Sequence, residues 1–145
     1  MDGAGGQAPR AAEMRGRARE FVDRATAGNR LPLDFSVASL RLVDFLVEGL
    51  RKGGRERSEI TGTLCGLGAY LGEVLVRRAG AVWVDFDAEQ REFFGQSVGV
   101  RMPDGRFWNP FGKVVNCLER GGREGSEPSL QDFYLTLPGR TRSAA

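Results

Sequence analysis

The chain has 145 residues, 41% of them hydrophobic, which is enough for one domain whose core needs neither a metal nor a disulfide. It contains no histidine, which excludes serine–histidine and cysteine–histidine nucleophile pairs and every histidine-ligated metal. Its net charge of +2 is spread over 21 basic and 19 acidic residues, and this mixture disfavours nucleic acid as a partner.

The two cysteines, Cys65 and Cys117, both fall in apolar helical patterns. We expect both to be small buried side chains in the reducing cytoplasm. No apolar run reaches the length of a signal peptide or a membrane span, which also favours the cytoplasm and disfavours a membrane partner. Because the cysteines form no Cys-x-x-Cys pair or cluster, we predict no metal and no cofactor.

Residues 1–28 are predicted to precede the domain as a disordered glycine- and alanine-rich segment followed by a basic amphipathic helix. Arginines and three acidic residues share the polar side of this helix, so we expect a solvated and loosely docked element. Its apolar stripe comprises Met14, Ala18, Phe21, Val22 and Ala25. A single domain is predicted over residues 29–138, followed by a disordered tail over residues 139–145.

A second helix is predicted after the breaker at residues 28–32. Ser36 is its expected N-cap, and Phe35 and Leu40 are placed as a hydrophobic staple. The core stripe, which Phe45 widens, is expected to pack on the helix that follows. This stripe comprises Leu40, Val43, Leu46, Val47 and Leu50.

The segment Ser58–Gly80 is predicted to be the central helix of the fold. Ser58 is the expected N-cap, and Gly80 can take the left-handed position that ends a helix. Four interior glycines each cost about 0.5–1 kcal/mol relative to alanine, so dense tertiary contact must surround the segment. The apolar stripe is Ile60, Leu64, Leu67, Leu71, Val74 and Leu75; a second stripe of small residues, expected to be closely approached, is Thr61, Cys65, Gly68 and Gly72.

Two segments of alternating polarity and one tight turn then predict a three-stranded antiparallel meander. The first strand begins at Val82, and a turn or short helix carrying Phe93 and Phe94 follows it. The second strand runs over residues 98–102. A Pro-Asp-Gly turn at residues 103–105 returns the chain through a third strand.

Two further helices are predicted at the C-terminal end of the domain. Asn109 precedes a proline at the first helical position of one of them, which ends at the glycines 121–122. Ser129 and Asp132 match a capping box that opens the other. The whole pattern predicts an α+β domain, in which a central buried glycine-rich helix lies between further helices and a short antiparallel β-meander of about three strands.

Two motifs resemble known sites but lack their context. Residues 61–68 match the glycine spacing of short-chain dehydrogenases, yet charged residues precede them where a strand is required, so we interpret the glycines as packing positions. Asp85 and Asp87 resemble the start of a calcium loop without its glycine. A carboxylate metal site formed by these two residues with Glu73 stays open beside the simpler interpretation as charges at a solvated strand end.

Glu73 is the candidate residue with two interpretations. It lies four residues before Arg77, a spacing typical of an ion pair on a helix surface. Alternatively it is a buried functional acid in a small enzyme or ligand-binding protein, with Tyr70, Arg77 and Lys113 around the same cleft. Lys113 supports this alternative because it follows a helix N-terminus, where anions are favoured.

Several motifs taken together resemble a loose group of small uncharacterised bacterial proteins of the actinobacterial type. The likeness covers residues 33–137, and the group brings no activity that can be transferred. Glu73 lies within its most distinctive motif. The motifs are SLxxVDxL at residues 39–46, GAYLGEVL at 68–75, Trp83, PxxxV at 110–114 and SLxxFY at 129–134.

The function that we predict is a non-enzymatic protein-binding or regulatory domain, of the kind that neutralises or tethers another protein as a toxin-immunity factor does. The sequence contains no nucleophile–base pair and no phosphate loop, so no catalytic residue is predicted. Trp83 and Trp108 are more simply interpreted as core side chains, and if the domain binds a partner, the sheet face that carries them is the predicted contact surface. A second copy of the chain is an alternative partner. Weak nucleic-acid binding would require Arg101, Arg106 and Arg120 to share a face with the arginines of the first helix.

Overall fold

A computed structural model describes residues 9–29, 32–121 and 128–138. Over these ranges the chain has an α+β fold with six α-helices and a three-stranded antiparallel sheet. The disorder predicted at the two chain ends concerns residues outside these ranges. The elements are a 3-10 turn at Ala11–Glu13, α1 (Met14–Asn29), α2 (Leu40–Gly53), α3 (Arg57–Ala79), β1 (Val82–Asp85), α4 (Ala88–Phe94), β2 (Val98–Arg101), β3 (Phe107–Trp108), α5 (Pro110–Arg120) and α6 (Leu130–Thr136).

Helix α3 occupies the position of the predicted central helix. Every residue from Gly66 to Leu75 is buried, and Gly80 ends the helix in the left-handed region with φ of 78°. The N-cap is Glu56 rather than Ser58. The helix starts earlier because the Glu59 carboxylate accepts a hydrogen bond from the Glu56 backbone N–H at 3.2 Å, which satisfies a donor at the helix start.

Three glycines of α3 are each covered by an aromatic side chain from another element. A Cβ atom at any of the three would overlap the ring, so only glycine permits this distance of approach. The pairs are Gly66 with Phe21 of α1, Gly68 with Phe111 of α5, and Gly72 with Trp83 of β1. The predicted close approach is therefore correct for the C-terminal half of the helix.

The N-terminal half of α3 corrects two expectations. Thr61 and Cys65 belong to the stripe predicted to be closely approached, but both are exposed. The Cys65 thiol is therefore not the buried side chain that the apolar pattern indicated, whereas Cys117 is buried.

Helix α1 is docked firmly rather than loosely. Met14 and Ala18 are completely buried and Phe21 nearly so, and these side chains belong to the same core as α3. The segment before α1 is also attached, since the Ala11 backbone N–H donates to the Asp85 carboxylate at 2.8 Å. The mixed charges, from which loose docking was predicted, lie on the outer face of this helix. Small side chains on its inner face allow close packing.

The sheet confirms the predicted meander, with strand order β1-β2-β3 and antiparallel pairing throughout. Val100 of β2 lies opposite Trp83 on one side and Trp108 on the other, so the three side chains share one face. Gly105 has φ of 91° in the turn before β3, as the Pro-Asp-Gly sequence predicted.

Helix α2 starts later and packs elsewhere than predicted. Ser36 opens a turn, its carbonyl accepting from the Ser39 N–H at 3.2 Å, and Ser39 is the residue before the helix. Most contacts of α2 are with α5 and α6 rather than with α3. The Asp44 carboxylate accepts backbone N–H groups of Leu130 at 2.7 Å and Gln131 at 3.3 Å, which joins α2 to the start of α6.

In the part of the chain that the structure describes, the helices are too short or too polar to cross a lipid bilayer.

Candidate functional site

Glu73 is completely buried, with 0% of its surface exposed. Its Oε2 atom accepts from Arg77 Nε at 2.9 Å, and its Oε1 atom accepts from the Trp83 indole Nε1 at 3.0 Å. Arg15 Nε of α1 lies 3.4 Å from Oε2. The carboxylate therefore joins three elements, because charge-assisted hydrogen bonds from α3 and β1 and an ion pair with Arg15 of α1 converge on it. The predicted ion pair with Arg77 is present; its carboxylate is buried, and its arginine is exposed at the surface.

Arg77 connects Glu73 to the loop between α1 and α2. Its guanidinium carbon lies 4.0 Å from the centroid of the Phe35 ring, and this ring stacks on Tyr70 with centroids 4.7 Å apart. Phe35 has φ of 62°, a backbone conformation that non-glycine residues rarely adopt. The Arg78 Nε atom donates to the Phe35 carbonyl at 3.2 Å, so contacts on several sides hold this strained residue.

The Tyr70 hydroxyl completes this arrangement. It accepts a hydrogen bond from the Phe35 backbone N–H at 2.8 Å and lies 2.6 Å from the Ser39 hydroxyl. Burial raises the pKa of the Tyr70 phenol above its ordinary value, while its hydrogen bonds with Ser39 and Phe35 act in the opposite direction. Tyr70 is therefore a neutral structural group that fixes the loop, and both of its hydrogen-bond partners are buried.

The two tryptophans lie on the inner face of the sheet, which corrects the predicted contact surface. The Trp83 indole covers Gly72 and donates to Glu73. Trp108 packs edge-on against Phe133 of α6, with ring centroids 5.2 Å apart. The alternation of the strands turns these side chains towards the helices, so both tryptophans are half-buried against the core rather than displayed on an open face.

Lys113 lies in a different cluster from Glu73. Its Nζ atom is 4.8 Å from the centroid of the Phe133 ring, so it meets the same ring as Trp108. The structure thus brings Tyr70, Glu73, Arg77 and Trp83 together, and it places Lys113 and Trp108 around Phe133. The cleft predicted to join all of the polar candidates is not formed.

The three carboxylates of the alternative metal site each have different hydrogen-bond partners. Asp85 accepts from the Ala11 backbone N–H, and Asp87 accepts from the Gln90 backbone N–H at 2.8 Å as the N-cap of α4. The Glu73 carboxylate forms ion pairs with Arg15 and Arg77. Within residues 9–29, 32–121 and 128–138, no group of three potential ligands is placed to hold a metal ion.

A groove of about 420 Å³ lies between α1, α2 and the N-terminal half of α3. Phe21 and Ala25 line its α1 wall, and Leu46 and Leu50 line its α2 wall. Gly62 lies at its floor, and no atom lies within 4 Å of the position that a Cβ there would occupy. We refer to these five residues as the α1–α2 groove.

Helix α2 continues this apolar surface beyond the groove. Leu40, Val43 and Val47 are its buried core face. At about 100° per residue, a second uncharged arc runs beside them and ends at Phe45, which is 70% exposed. That arc comprises Leu42, Phe45, Leu46, Gly49 and Leu50. From the sequence alone, this arc was predicted only as part of a core stripe that Phe45 widens.

Comparison with known proteins assigns no family, because no family model, curated protein or solved structure matches the chain. The resemblance to small bacterial proteins stays a prediction.

Proposed function

We propose that this chain is a protein-binding domain that receives an apolar part of its partner in the α1–α2 groove. The observation that carries the proposal is the continuous uncharged surface from this groove to Phe45. A helix that packs only on its own core needs a stripe about 100° wide, and the apolar arc of α2 extends well beyond one such stripe. Exposed aromatic side chains beside an apolar groove are typical of protein contact sites.

The buried position of Glu73 favours binding over catalysis. A general acid or base must reach the reacting atoms, but this carboxylate has no exposed surface, and both of its oxygens are hydrogen-bonded. Tyr70 is likewise buried and engaged with Phe35. These contacts support a structural role for the polar candidates, with the contact surface elsewhere.

Ion pairing disfavours the nucleic-acid alternative. Several arginines lie next to a carboxylate, which lowers the positive potential available to a phosphate backbone. The pairs are Arg15 with Glu73 at 3.4 Å, Arg17 with Glu13 at 3.5 Å and Arg106 with Asp104 at 3.3 Å.

The proposal includes a regulatory role in a bacterial cytoplasm. The source rests on the resemblance of the motifs to bacterial proteins. The compartment is supported by the exposed Cys65 thiol, because a reducing environment keeps such a thiol unoxidised. Regulation would operate through occupancy of the groove by the bound protein.

Photo-crosslinking tests the proposal directly. The amino acid p-benzoylphenylalanine replaces Phe45 in the full chain, and ultraviolet light is applied in the cells that produce the chain. We expect a covalent adduct with another protein chain. The variant Gly62→Leu should abolish it by filling the groove from its floor. This variant should fold, because the Cβ position at Gly62 is free of atoms within 4 Å and leucine is a better helix former than glycine.

Two controls separate the groove from general surface contact. Gly16→Leu is the matched control, since Gly16 is an exposed glycine of α1 with no atom within 4 Å of its Cβ position; it should leave the adduct intact. Phe93 of α4 is 82% exposed and provides a second crosslinker site outside the groove. An adduct formed equally at both sites, or one that survives Gly62→Leu, contradicts the proposal.

A further inference from the structure

The surface that contains the groove also contains a side chain that fits a groove of this kind. Phe45 projects into solvent from α2 with 70% of its surface exposed. The groove wall on the same helix is formed by Leu46 and Leu50. An apolar projection and an apolar depression on one face are what a two-fold interface requires, because each copy must present both halves of every contact.

The charges at the groove are also self-complementary. Arg24 of α1 and Glu59 of α3 line it, one of each sign, and both residues are exposed. A two-fold axis can place the cation of one copy opposite the anion of the other, and the reverse contact follows by symmetry. A strongly acidic or strongly basic partner would instead meet one like charge at this site.

Two glycines allow the backbones of such a pair to approach each other. Gly49 lies on the exposed arc of α2, and Gly62 lies at the groove floor; the Cβ position of each is free of atoms within 4 Å. Each glycine costs about 0.5–1 kcal/mol relative to alanine in a helix. No contact within the described chain offsets that cost at these two positions, in contrast to Gly72 beneath Trp83.

From these observations we infer that the α1–α2 groove is occupied by a second copy of this chain in a two-fold dimer. Phe45 of each copy enters the groove of the other, and Arg24 of each copy pairs with Glu59 of the other. The inference rests on the proposed protein-binding function and names its partner.

Sedimentation equilibrium of the purified full chain over a concentration series tests the inference. We expect a reversible monomer–dimer equilibrium. Phe45→Glu should raise the dissociation constant at least about tenfold, because it places a charge in an apolar pocket at the centre of the contact. Phe93→Glu is the matched control on α4 and should leave the constant unchanged.

A charge exchange tests the pairing itself. Arg24→Glu and Glu59→Arg should each weaken the dimer roughly threefold to tenfold, an effect typical of exposed ion pairs that occur twice in an interface. The two substitutions in one chain should restore the affinity, because the same pairs form with their signs reversed. A purely structural role of either residue would not give this recovery.

The outcomes separate the inference from the proposed function. A chain that stays monomeric at every concentration overturns the dimer, and so does a dimer that Phe45→Glu leaves intact or a charge exchange that restores nothing. A photo-adduct from residue 45 with a different protein, lost in Gly62→Leu, overturns the second copy as occupant and leaves the protein-binding function in place. No adduct from residue 45 overturns both.

Discussion

The two halves of α3 use the same residue type for opposite purposes. In the C-terminal half, every residue from Gly66 to Leu75 is buried, whereas Ile60 and Leu64 are the only buried residues from Arg57 to Cys65. Glycines of the buried half lie beneath aromatic rings, and Gly62 of the open half faces a groove. A glycine in a helix thus does not by itself show close approach within the chain, because Gly62 has no atom within 4 Å of its Cβ position whereas Gly66, Gly68 and Gly72 are covered.

Gly72→Ala should have the largest effect in the buried half. The added methyl group would overlap the Trp83 ring, and the ring is held by its hydrogen bond to Glu73 at 3.0 Å. Overpacking of this kind costs about 1–3 kcal/mol, and the fixed ring gives little room for relaxation. We therefore expect the free energy of unfolding, measured by urea denaturation, to fall by about 3 kcal/mol. A loss below about 0.5 kcal/mol would show that Trp83 can move and that the contact is not tight.

Glu73→Gln should also destabilise the buried half, by about 2 kcal/mol. The amide keeps the shape of the side chain but removes the negative charge that Arg77 and Arg15 share, and hydrogen bonds to charged groups contribute about 1.5–3 kcal/mol. Glu59→Gln is the matched change in the open half and should cost less than about 0.5 kcal/mol, because Glu59 is exposed and the glutamine carbonyl can still accept the hydrogen bond from the Glu56 N–H. Equal losses of unfolding free energy in the two variants would contradict the structural role of Glu73. Both are measured by urea denaturation.

Tyr70, in the buried half of α3, should make the stability of the protein depend on pH. Its folded-state pKa is raised above the ordinary value of 10.0 by burial, so the folded chain holds the proton more tightly than the unfolded chain does. The stability linked to this proton is complete below pH 10 and is lost as pH rises through the folded-state pKa. At pH 8, Tyr70→Phe should cost about 1 kcal/mol through its lost hydrogen bonds.

The pH dependence of that difference is the decisive measurement for Tyr70. Urea denaturation of both proteins at pH 8 and above pH 10 should show the difference in unfolding free energy narrowing in alkali, because Tyr70→Phe has no phenol at this position to ionise when unfolded. Other alkaline groups are common to both proteins and cancel. A difference that stays constant with pH would mean that the Tyr70 phenol ionises equally in the folded and unfolded states.

The sequence pattern predicted the helices and strands better than it predicted which of their side chains are buried. Periodicity predicted α3 and the strands, and residues with special backbone roles, such as Asn109 and Gly80, marked helix ends correctly. The helix spacing also predicted the pairing of Glu73 with Arg77. The spacing could not decide whether the Glu73 carboxylate is exposed or buried, because its other partners come from distant segments of the chain.

The same limit explains the missed groove. The apolar arc of α2 is wide enough to face both the core and solvent, and periodicity alone does not show which part of it another helix covers. Trp83 was assigned to an open face for a related reason. Alternation separates the two faces of a strand but does not show which face the helices cover.

Gly62→Ala should have the smallest effect and the opposite sign. The methyl group meets no atom within 4 Å, so the helix propensity of alanine should raise the unfolding free energy by about 0.5–1 kcal/mol. Gly16→Ala in α1 is the matched control and should gain a similar amount, since its Cβ position is equally free. Both are measured by urea denaturation at concentrations too low for the proposed dimer to form. A loss of stability in Gly62→Ala alone would show that the groove is closed in the free chain. In concentrated solution, association is compared in the same two variants. If Gly62→Ala weakens it and Gly16→Ala does not, then glycine at position 62 lowers the stability of the chain but is needed for contact with another chain.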